Sequence, residues 1–335
     1  MKELLQPLCD AFGPAGFEDE VRELIREWIE PHCDEVRIDT MGNLVGLRRG
    51  NGKGRRIMLA AHMDEIGLII TQVEDSGLLR FSQIGVVPLK TLLGMRVRFA
   101  NGTLGVISLE GGAEVEILSR ELPDMGKWFV DVGAREREGL PVGVGDVATL
   151  FRPFADLGER VVAGGLDDRA GCAVLVETLR RLESSPHDIY FAFTVQEEVG
   201  SRGATTAAYM IEPDIGIAVD VTSTGDTPRP KQPMAVRLGA GPAIKVADRG
   251  LISHPRVREA LVQAAEAEQI PYQLEVLPLG STDAQAMQRA RGGVLAGAVS
   301  VPCRYIHTPG EMIDMHDLEG AVRLLTAFLA RPWPA

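Results

Sequence analysis

An α/β fold, with a mixed sheet covered by helices on both faces and interrupted by a small β domain, is predicted by three features of this 335-residue chain. At both ends of the chain, apolar runs of strand length alternate with segments of helical apolar spacing. Between Leu68 and about Pro153 that alternation stops, and short strand-like runs are separated only by turns. Five acid- or histidine-bearing segments follow predicted strands, and open α/β sheets bind ligands at the carboxyl ends of their strands.

Residues 1–30 carry apolar side chains at helical spacing, broken by Gly13-Pro14-Ala15-Gly16. Residues 18–29 read as an amphipathic helix with Val21, Leu24, Ile25 and Trp28 on one face. Asp39-Thr40-Met41-Gly42-Asn43 is a turn into a short strand, 44–47. Residues 57–61 are apolar without interruption, which suits a strand buried on both faces. The middle segment is punctuated by Asp75-Ser76-Gly77, Asn101-Gly102, Gly111-Gly112 and Gly143-Val144-Gly145-Asp146. Asn101-Gly102, between Val97-Arg98-Phe99 and Leu104-Gly105-Val106-Ile107, is a hairpin signal. No helix is predicted there, and about 90 residues of this texture make a barrel or sandwich. From Val161 the alternation resumes, with helices at 170–182, 202–210, 255–269, 283–289 and 318–329 and strands at 189–195, 215–219, 273–277 and 293–299. The economical division is one α/β domain, 1–66 plus 159–335, with residues 67–158 inserted. The Pro-, Thr- and Gly-rich stretch 222–233 is the most loop-like.

Apolar residues make up 45% and charged residues 24%, which excludes a disordered, collagen-like or disulfide-scaffold chain. Lys plus Arg is 35 against 47 for Asp plus Glu, and the net charge of −12 repels phosphate backbones. No basic patch offsets it, since Arg48-Arg49 and Lys53-Gly54-Arg55-Arg56 read as the solvated rim of a turn, so no nucleic acid partner is expected. Cys9, Cys33, Cys172 and Cys303 form no CxxC pair and read as reduced, mostly buried thiols. The amino terminus leads into an amphipathic pattern rather than a signal-peptide core, and there is no apolar run of about 18 residues. A cytoplasmic location without membrane association is expected.

His62-Met63-Asp64 follows the strand 57–61, Gln196-Glu197-Glu198 follows 189–195, and Asp220 follows 215–219. His307 comes soon after 293–299, and Asp167-Asp168 opens the helix at Ala170. One sheet edge thus receives two imidazoles and up to six carboxylates, which is the donor set of a metal site. In His62-x-Asp64, alternate residues of an extended segment point the same way, so the imidazole ligates while the carboxylate orients it. Adjacent Glu197 and Glu198 face opposite ways, so one binds metal and the other stays free as a base. One Asp of 167–168, one Glu of 197–198 and Asp220 supply −3, and a bridging hydroxide −1, which balances two divalent cations beside neutral His62 and His307. Two bridged metals hydrolyse amides and phosphoesters. Zinc suits these donors, with cobalt and manganese as alternatives.

These segments resemble the M42-family metallo-aminopeptidases, the group that includes the tetrahedral (TET) aminopeptidases and proteins labelled endoglucanase M. The resemblance rests on Gly13-Pro14-Ala15-Gly16-Phe17-Glu18, Asp39-Thr40-Met41-Gly42-Asn43-Leu44, Ala61-His62-Met63-Asp64-Glu65-Ile66-Gly67 and Leu166-Asp167-Asp168-Arg169-Ala170-Gly171. It extends through Gln196-Glu197-Glu198-Val199-Gly200, Ala218-Val219-Asp220-Val221-Thr222, Gly280-Ser281-Thr282-Asp283-Ala284 and Tyr305-Ile306-His307-Thr308-Pro309-Gly310-Glu311. By resemblance, His62 and Asp220 hold one metal, Glu198 and His307 the other, and Asp167 bridges them. Glu197 is then the general base and Asp64 the acid supporting His62. The resemblance further implies a zinc-peptidase-like catalytic domain with an inserted small β-barrel or PDZ-like domain that serves oligomerisation and access. It implies substrates that are short peptides with a free N-terminus. It also implies a homo-oligomer, often a tetrahedral dodecamer. The implied reaction is attack by a metal-bridging water whose proton Glu197 takes and passes to the leaving amine.

Related carboxypeptidases and deacylases of the M20 type share the ligand order but carry their extra domain later. Here the β segment fills the 105 residues between His62 and Asp167, while the 87 residues from Asp220 to His307 read as α/β. A glycoside hydrolase also uses paired carboxylates, but it needs no histidine ligands and favours aromatic platforms. Aromatics are 5% of this chain, and Trp28, Trp128 and Trp333 lie away from every ligand motif. A non-catalytic scaffold would have no use for a complete ligand set with a spare base. His32, His187, His254 and His316 read as surface or capping residues, Arg169 as structural, and Cys172 and Cys303 as core. Ser281-Thr282-Asp283-Ala284 reads equally as pocket lining or as a helix cap.

Overall fold

The structure, a computed structural model, describes residues 1–52, 54–111, 123–229 and 234–333. Lys53, Gly112 of the expected Gly111-Gly112 turn, and residues 230–233 of the expected 222–233 loop lie outside the described residues. In chain order the first elements are α1 (Lys2–Asp10), α2 (Asp19–Ile29), β1 (Glu35–Ile38), β2 (Leu44–Arg48) and β3 (Arg56–His62). Then come β4 (Gly67–Val73), β5 (Leu79–Ile84), β6 (Arg96–Phe99), β7 (Leu104–Leu109), β8 (Trp128–Asp131) and β9 (Val147–Leu150). These are followed by β10 (Ala155–Asp156), β11 (Arg160–Ala163), α3 (Leu166–Arg181), β12 (Asp188–Thr194), α4 (Arg202–Ile211) and β13 (Ile215–Ser223). The chain continues with β14 (Ala243–Ala247), α5 (Pro255–Ala267), β15 (Gln273–Val276) and α6 (Ala284–Gln288), then β16 (Leu295–Arg304), β17 (Glu311–Asp314) and α7 (Met315–Leu329).

One 11-stranded sheet runs β1-β2-β12-β3-β13-β16-β17-β11-β10, with β14 and β15 attached alongside β16. Its centre, β12-β3-β13-β16, is parallel, and its flanks are antiparallel. Alternation along β3 explains the two layers of helices, because successive residues point to opposite faces of the sheet. Ile57, Leu59 and Ala61 pack into the core shared with α1, α2, α3, α5 and α7. Met58 and Ala60 pack with Ala207 and Ala208 of α4 and with Ala284 and Met287 of α6. Helix α3 is buried almost all round, as a helix caught between a sheet and other helices must be.

The strands β4-β5-β8-β7-β6-β9 close into a separate barrel with its own core, including Leu68, Phe81, Val97, Ile107, Trp128 and Val130. Asn101-Gly102 does turn the β6–β7 hairpin, with Gly102 at φ 83°. The expected α/β class with an all-β barrel is therefore the observed one. Buried Arg169 donates to the carbonyls of Leu8 and Gly13 and pairs with Glu65 at 3.4 Å, and Glu65 in turn accepts from Thr149 of β9. This joins the amino terminus, α3 and the barrel, which is the structural role expected of Arg169. No helix among the described residues is long and apolar enough to cross a membrane.

Two strands run past their expected ends. Ser300 and Pro302 end the apolar run on which the 293–299 boundary rests, yet β16 stays paired with β13 as far as Ser223↔Cys303. Asp220 consequently lies inside β13 rather than after it. Within α3, Asp167 and Asp168 are non-helical and kink the chain after Leu166, so the regular helix starts beside the expected Ala170. The strands β1, β14 and β17 lack an apolar run long enough to be read from sequence. On α2 the fully buried stripe is Val21, Ile25 and Ile29, with Leu24 and Trp28 half-buried at its edge.

Candidate active site

Strand direction brings the expected residues to one edge. The carboxyl ends of β3 and β12 are in register at His62↔Thr194, and β13 and β16 run parallel to them. Strand β11 is antiparallel to β17, which is antiparallel to β16, so β11 ends on the same edge and delivers Asp167 through the start of α3. His62, Asp167, Glu197, Glu198, Asp220 and His307 all line one cleft of ≈ 470 Å³.

Asp167 sits between the two imidazoles. Its Oδ1 is 3.1 Å from His62 Nε2 and its Oδ2 is 3.2 Å from His307 Nε2. Asp220 lies 3.9 Å from His62 Nε2, and Glu198 lies 3.3 Å from His307 Nε2. Spacing alone left Asp167 and Asp168 undistinguished, and the family resemblance chose Asp167. Asp168 turns toward backbone instead, accepting from the amides of Gly171 (2.9 Å) and His62 (3.3 Å). One of its oxygens still lies close enough to His62 and Asp220 to share an ion with them. A Cβ at Gly171 would meet both Asp168 oxygens at 2.4 Å, so glycine is needed there.

His62 Nδ1 donates to the Asp64 carbonyl at 3.0 Å, leaving Nε2 to face the cleft. The Asp64 carboxylate is 3.5 Å from that imidazole and accepts from the amides of Glu197 (2.9 Å) and Glu198 (3.1 Å). Asp64 therefore bears on the glutamate pair as directly as on His62. Glu18 accepts from the amide of Gln196, so three successive amides after β12 are held by two carboxylates. Buried Asn43 accepts from Val195 N and donates to Gly203 O, which pins both ends of the loop that carries the glutamates. The Ser201 hydroxyl donates to Glu197 Oε1 at 2.9 Å.

One acid escaped sequence reasoning. Buried Glu311 accepts from the amides of Asp167 (3.0 Å) and His307 (2.8 Å) and so fixes both residues. It opens β17, whose antiparallel direction puts its start, not its end, on the site edge. A search of strand ends passes over it. In the stretch 281–284, expected as pocket lining or helix cap, Ser281 lines the cleft, Thr282 Oγ accepts from Ala284 N at the start of α6, and buried Asp283 accepts from the Thr194 hydroxyl. The remaining histidines do ordinary work. His254 caps α5, His187 bridges Arg55 N and the Arg331 carbonyl, and the His316 amide is capped by Asp314.

No lysine or arginine among the described residues forms an ion pair with Asp167, Glu197, Glu198 or Asp220. Glu198 Oε1 is buried without a hydrogen-bond partner. Burial pushes the Glu197 carboxyl up to about 7 and those of Glu198, Asp220 and Asp168 well above the usual range. Burial also raises Asp167, but the hydrogen bonds from His307 and His62 outweigh it and hold that carboxyl below the usual range. A cluster of buried acids with orphaned oxygens and two imidazoles fits divalent cations.

Without cations, the folded chain binds protons that the unfolded chain has released. Carboxyls raised on folding stabilise the fold as pH falls through their folded values toward the ordinary ones. The opposite contribution of Asp167 is lost only below the ordinary 3.8. Chelator-treated protein is therefore expected to melt at least ~2–4 °C higher at pH 5.5 than at pH 7.5. Calorimetry at the two pH values checks this, and a lower melting temperature at pH 5.5 would contradict it.

The mixed α/β fold with a barrel inserted between β3 and β11, taken with its relatives, makes the protein a peptidase of the hydrolase class. The chain belongs to the M42 glutamyl aminopeptidase family, whose model matches residues 42–324. It is 46% identical to a putative aminopeptidase of Acetivibrio thermocellus over 327 residues, 97% of each chain. A solved aminopeptidase of the archaeon Desulfurococcus kamchatkensis superposes with a TM-score of 0.93 at 44% identity, covering 98% of this chain and 94% of that one. The Pyrococcus horikoshii TET1 peptidase, which can assemble into a tetrahedron or a large octahedral shell, matches with a TM-score of 0.85 at 33% identity, covering 98% of each chain.

Proposed function

We propose that the protein is an aminopeptidase that releases the N-terminal residue of short peptides. In this reading His62 and Asp220 would hold one divalent ion, Glu198 and His307 would hold a second, and Asp167 would be shared between them. The observation that carries it is Asp167 placed between two imidazoles, in an acid cluster with which no lysine or arginine among the described residues forms an ion pair. Zinc suits the donors best, with cobalt or manganese as alternatives. When bound, such ions polarise the scissile carbonyl and lower the pKa of a water.

The chain's own residues do the rest. Glu197, its carboxylate steadied by the Ser201 hydroxyl, takes the proton of the attacking water and returns it to the leaving amine. Asp64 and Glu18 hold the backbone that aims Glu197 and Glu198 into the cleft. Glu311 holds Asp167 and His307 in place. A glycosidase reading lacks support, since no Trp, Tyr or Phe lines the cleft among its described residues. We take 1–66 plus 159–335 as the catalytic domain and 67–158 as an insert serving oligomerisation and access. We take the protein as cytoplasmic and as a homo-oligomer as large as a dodecamer, and the oligomer agrees with the assemblies formed by the TET relative.

Dialysis against EDTA is expected to abolish hydrolysis of aminoacyl anilides, and zinc, cobalt or manganese to restore it. Full activity on peptide substrates in excess EDTA would overturn the reading. A two-carboxylate glycosidase would cleave cellulose fragments with or without chelator.

A further inference from the structure

The cleft has two unlike walls. One is the acid and imidazole cluster. The other sets the apolar side chains Val86, Leu277, Leu279 and Ile306, from three separate parts of the chain, beside the neutral Thr222, Ser223, Ser281 and Gln285. Val86 belongs to the loop after β5, whose Gly85 lies against Glu198. Leu277 and Leu279 lie between β15 and α6, and Ile306 directly precedes His307. Val86 is 69% and Leu279 54% exposed, so large apolar side chains stand uncovered at the mouth of a strongly acidic cleft.

No lysine or arginine lines the cleft among its described residues. Lys245, behind its wall, is locked between Asp248 (3.2 Å) and Glu275 (2.9 Å). Arg304 is held by both oxygens of Asp226, at 2.9 and 2.7 Å. Every carboxylate that lines the cleft belongs to the ligand and base set already described. An acidic substrate side chain would find no cation there, and a basic one no free carboxylate. Either would exchange its hydration for neutral hydroxyl and amide groups only, with no opposite charge to offset the loss.

We propose that this cleft takes peptides whose N-terminal side chain is neutral and aliphatic, of the leucine and methionine kind, against Val86, Leu277, Leu279 and Ile306. The proposal rests on the aminopeptidase reading and adds the substrate class. Metal-loaded protein assayed on the 4-nitroanilides of Leu, Met, Ala, Glu and Lys tests it. The Leu and Met substrates are expected to exceed Glu, Lys and Ala by at least ~10-fold in kcat/KM, the discrimination that apolar pockets reach. Leu279→Arg, at an exposed position the fold tolerates, is expected to narrow the Leu-to-Glu ratio by ~10-fold. Wild-type preference for Glu or Lys, or a ratio unmoved by Leu279→Arg, would overturn the proposal while leaving the aminopeptidase reading intact. Hydrolysis of none of the five would overturn both.

Discussion

Glu197→Gln is expected to lower kcat on a leucyl anilide by about 10²–10⁴-fold while the metal content stays that of the wild type. The amide keeps the size of the side chain and can still meet the Ser201 hydroxyl, so the loop pinned by Asn43 and Asp64 has no reason to move. What disappears is the ability to accept a proton. Turnover within a few-fold of wild type, with metals retained, would assign the base elsewhere. Glu198→Gln is the informative control. Glu198 faces His307 Nε2 at 3.3 Å, so its loss is expected to show first in metal retention.

Asp167→Ala is expected to cost at least ~10²-fold in activity and to release metal as well. No other carboxylate among the described residues stands between His62 and His307 with one oxygen toward each. Removing it leaves the two imidazoles without their common partner. Asp168→Asn separates the neighbouring roles. Asp168 accepts from two backbone amides, and its substitution is expected to lower the melting temperature more than the metal content. If the two substitutions had identical effects on metal content, the division drawn between these adjacent acids would be wrong.

The clustering of these acids and imidazoles was legible in this chain because they sit where parallel strands end, and strand ends can be seen from sequence. His62 and the Glu197-Glu198 pair each follow a continuous apolar run, and such runs mark strands buried on both faces. Asp220 was found by the same signal although it lies within β13, because both β13 and its partner β16 outrun their apolar stretches. Turns without helical periodicity between His62 and Asp167 revealed an all-β insert, a barrel or a sandwich, and the structure makes it a barrel. Glu311 and Asn43 were not legible as parts of the site. Glu311 works from the start of an antiparallel strand, and Asn43 works through a long-range contact to Gly203. Neither contact has a period or a neighbour in the sequence to announce it. The choice between Asp167 and Asp168 likewise depends on which side chain turns toward the backbone, and two adjacent identical residues carry no local sign of that.

The central claim is that this one sheet edge holds a pair of divalent ions shared through Asp167. The most direct measurement is the metal-to-protein ratio, by inductively coupled plasma mass spectrometry, of folded protein loaded with zinc and freed of excess by gel filtration. The account predicts about two ions per chain in the wild type and in Glu197→Gln, falling below one in Asp167→Ala. A single ion in the wild type, or two retained after Asp167→Ala, would contradict it.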